Sequence, residues 1–186
     1  MADDKATDQE VPQGFDPSQI GLAQSASSEN SVESGNLVQF VSFKVDNSEY
    51  GVDIMAVREI QGWVNVTTLP NTPEHVRGVL NLRGIIVPIF DLRCRFGNGL
   101  TDATDLHVMI IIAVGDRTMG LLVDAVSDIL TINTNEILPV PEVDSSGDQR
   151  FLAGLITVQD RMVALLEIEK LFNIDELVAQ VTNAAE

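Results

Sequence analysis

The chain has 186 residues, 45% hydrophobic and 21% charged, with 28 acids against 11 bases and a net charge of −17. That length accommodates one domain, or two small ones sharing a core, and that charge repels phosphate backbones and anionic lipid, which argues against nucleic acid or a membrane surface as a partner. A single cysteine, Cys94, excludes a disulfide framework and a cysteine-based zinc site, and no apolar run approaches the roughly 18 residues of a membrane span.

Residues 1–36 are rich in Ser, Gln, Asp, Glu and Gly, with seven acids against Lys5, so they carry −6 of the −17 and leave −11 to the rest. Such a segment buries too little apolar surface to offset its ordering entropy, and a disordered acidic tail is expected. Its acidic start, without an apolar core, does not read as a secretory signal. From Leu37 the texture is β. "LVQFVSFKV" alternates, "DNSEYG" supplies a turn, and "YGVDIMAVREI" follows. After the two prolines of "LPNTPEHVRG" come two strands, "GVLNL" and "IIVPIFDL", joined tightly at Arg83-Gly84. Pro88 places the second at an edge or a bulge. "GNGLTDATD", Gly97 to Asp105, reads as a plain linker. Beyond it the β texture resumes with "LHVMIIIAV" and "TMGLLVDAVSDIL"; the acidic, Pro-rich loop "LPVPEVDSSGDQR" precedes two last strands. Asn173, with Glu176 three residues on and Ile174, Leu177, Val178 and Val181 along one face, predicts a short terminal helix over 173–183.

The second half repeats the first. "VRGVLNLRGIIVPIFDLRCRF" overlays "LAGLITVQDRMVALLEIEKLF" without a gap, so that Gly78 meets Gly154, Leu80 meets Ile156, Ile89 meets Leu165 and Asp91 meets Glu167. "YGVDIMAVREI" overlays "MGLLVDAVSDI" in the same way: Gly51 falls on Gly120, Ala56 on Ala125, Val57 on Val126 and Glu59 on Asp128. Two matches in one order, each anchored on glycine, indicate an internal duplication, Leu37–Phe96 and Leu106–Phe172. Each half is marginal alone, so shared burial is expected, and the glycines mark bulges or corners of a small barrel. The charges differ between copies: Arg58-Glu59 against Ser127-Asp128, and Arg83-Gly84 against Gln159-Asp160. Such positions are candidates for what each half contacts separately.

Constellations for catalysis are scarce. His107 lies in an apolar strand and His75 in a loop, neither with a sequence neighbour that suggests a metal site. There is no phosphate loop, nucleophile elbow or dinucleotide fingerprint, and Cys94 reads as packing rather than as a nucleophile. The expectation is a binding module with no catalytic residue, no metal and no cofactor. Val57, flanked by Arg58 and Glu59, fits a semi-exposed binding position; the simpler reading makes Val57 core and Glu59–Arg83 a structural ion pair, and both readings stay open.

The segments "YGVDIMAVREI", "NTPEHVRGVLNLRGIIVPIFDLR", "MGLLVDAVSDIL" and "DRMVALLEIEKL" together resemble the CheW family of bacterial chemotaxis coupling proteins, over residues 37–178. The resemblance implies a mainly β chain with two intertwined, SH3-like, five-stranded barrels, here assigned to 37–96 and 106–172 within a domain spanning 37–183. It implies a cytoplasmic adaptor, recruited to chemoreceptor arrays, that couples the cytoplasmic tips of methyl-accepting chemoreceptors to the regulatory domain of the histidine kinase CheA, without catalysis and without insertion into the membrane. By motif match, Val57, Glu59, Gly78 and Arg83 would face the receptor, and Leu138 and Val143 the kinase. Some members carry Arg and Phe at those last two positions; an apolar contact survives the change at Leu138, a charge contact does not. A coupler for a different chemosensory pathway, governing pilus motility or development, would share this fold. With neither a kinase nor a receiver segment in the sequence, a stand-alone coupler is expected.

Overall fold

Ten strands among the described residues carry the fold, and each sheet draws on both halves of the sequence. The computed structural model describes residues 36–141 and 151–172; the expected acidic tail before Asn36, Val143 and the expected helix 173–183 lie outside those residues. The first half supplies β1 (Leu37–Val45), β2 (Ser48–Asp53), β3 (Val57–Gly62), β4 (Val76–Leu82) and β5 (Ile85–Asp91). The second supplies β6 (Val108–Val114), β7 (Arg117–Val123), β8 (Ala125–Asn133), β9 (Leu152–Val158) and β10 (Arg161–Leu166). One-turn helices α1 (Leu92–Arg95) and α2 (Ile168–Leu171) follow β5 and β10 at corresponding places.

Sheet one runs β8-β1-β2-β10-β9 and sheet two β3-β6-β7-β5-β4. Each therefore combines the first two strands of one half of the sequence with the last three strands of the other, and the parallel pairs β2–β10 and β5–β7 join the halves in mid-sheet. The segments 37–96 and 106–172 are thus not separate barrels: the sequence repeat is real, but its boundary is not a sheet boundary. The physical reason is size, since a five-strand half of this length leaves too much of its apolar surface uncovered when it closes on itself. The glycines noted in sequence sit at these joints. Gly51 pairs with Leu165 and Gly120 with Ile89 across the parallel contacts, and a Cβ on either glycine would meet the side chain of its partner from the other half.

Both sheets close into barrels by the same device. The chain leaving edge strand β3 crosses to the opposite edge, where Thr67 and Val79 exchange backbone hydrogen bonds of 2.9 and 2.8 Å; Leu138 and Leu155 do the same for sheet one at 2.8 and 2.9 Å. The β6 run "VMIIIAV" shows why the core is shared. Met109 and Ile111 enter the interior of sheet two with Val87, Ile89 and Leu122, whereas Ile110 and Ile112 enter a larger cluster with Val41, Phe43, Phe90, Leu121 and Phe172, which spans both sheets. A strand buried on both faces reads as a continuous apolar run. Sheet one has its own interior of Leu130, Ile132, Ile156, Val163 and Leu165.

Two further expectations are corrected. Pro88 lies in β5, which is an interior strand. It is tolerated because its partner Val79 gives both backbone groups to Thr67, and because the β5–β7 pairing begins only at Ile89. No ladder bond is lost for want of its N–H. Nor is Gly97–Asp105 a plain linker. Thr101 is buried, its amide and hydroxyl each donating at 2.8 Å to the fully buried carboxylate of Asp91, while the Arg77 guanidinium donates to the Thr101 carbonyl at 2.9 Å. Asp91 also accepts from the Cys94 amide at 3.1 Å, starting α1.

Candidate binding surface

The edge of sheet two brings three of the sequence-derived residues into one place. Val57 closes a one-turn 3-10 segment, Ile54–Ala56, and opens β3. Opposite β6 the register slips between Val57 and Glu59, because Val57 faces Ile112 while Glu59 faces Ile111; Arg58 is the extra, unpaired residue of a β-bulge. β8 carries the corresponding slip at Ser127, against Ser42 and Phe43 of β1. Val57 is half-buried against the shared core. The Glu59 carboxylate stands 3.4 Å from the guanidinium of Arg83, whose side chain is 81% exposed. A pair that open to water contributes at most about 1 kcal/mol, so holding the fold together is a poor account of both residues.

Arg83 and Gly84 form a tight turn with both φ values positive, 53° and 91°, the geometry that matches a right-handed hairpin. The Gly84 amide donates to Asn81 Oδ1 at 2.8 Å, fixing the tip that carries Arg83 toward β3. Gly78 is different in kind. It is buried, its φ is 140°, and a Cβ there would fall on the Thr67 carbonyl. It lets the closing strand cross, and so positions the surface without being exposed on it. Leu138 lies at the corresponding crossing of sheet one and is 50% exposed. Thr67 and Leu138 thus occupy equivalent places on two different barrels.

Exposed apolar residues flank the Glu59–Arg83 contact along the chain and were missed in the sequence reading: Met55 and Ile60 beside Glu59, Ile85 and Ile86 beside Arg83. The residues themselves gave no signal, since consecutive isoleucines also fill β6, which is buried on both faces. The bulge at Arg58 had no sequence signal.

Burial first, then Asp91 and Glu74, pushes the Cys94 thiol up, away from the thiolate. Among the described residues no three His, Cys, Asp or Glu side chains are grouped to hold a metal ion, and no helix is long and apolar enough to cross a membrane.

Two strand-exchanged barrels with an edge that exposes both charged and apolar side chains fit a protein-interaction module. The CheW-like domain family matches residues 39–176. The chain is 43% identical over 135 residues to a probable chemotaxis protein CheW of Rhizobium etli, covering 73% of this chain and 87% of that one. It is 42% identical over 147 residues to a chemotaxis protein CheW of Klebsiella aerogenes, covering 79% and 88%. The crystal structure of the scaffolding protein TtCheW from Thermoanaerobacter tengcongensis superposes with a TM-score of 0.67 at 36% identity, over 73% of this chain and 87% of that chain. The chain belongs to the CheW-like domain family, as a chemotaxis adaptor.

Proposed function

We propose that this adaptor couples the cytoplasmic tips of chemoreceptors to the regulatory domain of CheA, in the cytoplasm and at receptor arrays, without catalysing any reaction. The observation that carries the reading is the edge of sheet two. There Val57, Glu59 and Arg83 converge, Gly78 sets the crossing beneath them, and apolar side chains that flank them along the chain are exposed. Binding surfaces concentrate energy in apolar anchors within a charged rim, and this edge has both. Leu138, exposed at the equivalent crossing of sheet one, supports a second and separate face for the kinase; Val143 is assigned to that face with it. Residues 37–183 form the binding domain in this reading, and the acidic segment 1–36 lies outside it.

Calorimetry with the purified full chain tests both faces. Saturable binding to the CheA regulatory domain and to a receptor-tip fragment, both from the same organism, is the expected result. Arg83→Glu should lose the receptor fragment and keep CheA, with unfolding free energy changed by no more than about 0.5 kcal/mol, as for an exposed side chain. Equal loss of both partners, or unchanged affinity for both, would contradict the assignment.

A further inference from the structure

The bulge in β3 leaves Arg58 exposed on the edge strand, between Val57 and Glu59, with no ion-pair partner among the described residues. Arg83 and Arg58 therefore stand as two cations to the one carboxylate of Glu59. The neighbouring acid, Asp53, accepts from the Met55 amide at 2.8 Å and caps the 3-10 turn. In a chain of net charge −17, Arg58 is an exposed arginine without an ion-pair partner among the described residues, close in sequence to the exposed Met55 and Ile60. The repeat sharpens it: at the equivalent edge of sheet one Arg58 is replaced by Ser127 and Arg83 by Gln159, although the bulge itself is retained. The backbone device is common to both halves and the cations belong to one.

We infer that Arg58 is a further specificity-determining residue of the receptor-facing site, selecting a partner segment that carries carboxylates beside an apolar stripe. Met55, Ile60, Ile85 and Ile86 receive the stripe, and Arg58 receives a carboxylate that Arg83, already engaged with Glu59, is less free to take. Guanidinium suits this task because its planar fork binds carboxylate in a fixed geometry. A charge at the rim acts mainly on encounter, so its effect belongs in the association rate and its salt dependence rather than in dissociation.

The inference rests on the receptor-facing reading, and the experiment separates the two. Association of the full chain with a receptor-tip fragment from the same organism is followed by stopped flow at low and high salt, for the wild type, Arg58→Gln and Arg58→Glu. The expected result is association slowed about tenfold by Arg58→Glu at low salt, an intermediate effect of Arg58→Gln, and convergence of all three at high salt. Replacing a partner carboxylate by lysine should restore the rate of Arg58→Glu. Wild-type binding with unaltered rates in both variants overturns the role of Arg58 and leaves the receptor face standing. Absence of wild-type binding overturns the receptor face, and the inference with it. Melting of each variant, expected to be unchanged at so exposed a site, excludes misfolding as the cause.

Discussion

The two places where the chain passes from one sheet to the other make an instructive pair. Between β2 and β3 the passage runs through Met55, 81% exposed and capped only locally. Between β7 and β8 the residue at the same position of the repeat is Asp124, and it is the centre of a network. Arg93 donates to its carboxylate at 3.0 Å, the Asp46 amide donates to it at 2.6 Å, and His107 Nε2 lies 3.7 Å away. Asp46 and Arg93 come from the first half and Asp124 and His107 from the second, so one passage ties the halves together while the other stays exposed. Duplication supplies two equivalent frames; divergence at single positions makes one structural and leaves the other exposed.

The largest expected difference between the copies is at the barrel crossings. Gly78→Ala combines a left-handed φ with a clash against the Thr67 backbone, and should cost more than about 4 kcal/mol or prevent folding. Gly154→Ala meets the Ile137 side chain first, with the Leu138 carbonyl at 3.1 Å, and has no positive φ; a side chain that can shift limits the loss to about 1–3 kcal/mol. Urea unfolding of the two variants measures the gap directly, and equal losses would break the account of the crossings.

The passages come next. Asp124→Ala removes the acceptor of Arg93 and of the Asp46 amide and should destabilise by about 1–3 kcal/mol, whereas Met55→Ala should stay within about 0.5 kcal/mol. Smaller still is the difference between hairpin tips. Arg83-Gly84 places glycine at the second left-handed position, but Gln159-Asp160 adopts φ of 48° and 63° without one. Replacing the second pair by Asn-Gly should therefore stabilise by about 0.5–1 kcal/mol in the same assay.

The smallest effect is a pH dependence confined to one side. The His75 ring lies against Phe90 and Phe172, which pack directly on each other; burial first and then Arg95 lower its pKa from 6.5, against Asp91, which raises it. The unfolded chain then takes up the proton before the folded one, so this contribution is complete above about pH 6.5 and is lost as pH falls through the lowered value. Melting of His75→Gln followed from pH 7.5 to 5.5 should be flatter than that of the wild type. A steeper curve would contradict the direction.

Much of this architecture was legible because its causes are local. Gly51, Gly120, Gly78 and Gly154 announced the repeat, and each stands where a side chain would strike the closing or partner strand. Arg83-Gly84 announced its hairpin. Exchange of strands between halves was not legible in the residues alone: β2 pairing with β10, and β5 with β7, depends on apolar faces far apart in sequence, and either pairing satisfies the same alternation. Pro88 misled for a related reason, since whether its missing donor matters depends on where Val79 directs its own backbone. At the candidate site, Val57, Glu59 and Arg83 could be named from the motif. Their convergence, the bulge at Arg58 and the exposure of Ile85 and Ile86 arise only once β3 and the β4–β5 tip are folded together.

The central claim is that one chain holds two partners at once through two different barrels. Sedimentation of the full chain with the CheA regulatory domain and a receptor-tip fragment tests it most directly. The account predicts a single species containing all three components, reduced to chain and CheA alone by Arg83→Glu. If the receptor fragment displaces CheA, so that only binary complexes sediment, the two faces are one and the account is wrong.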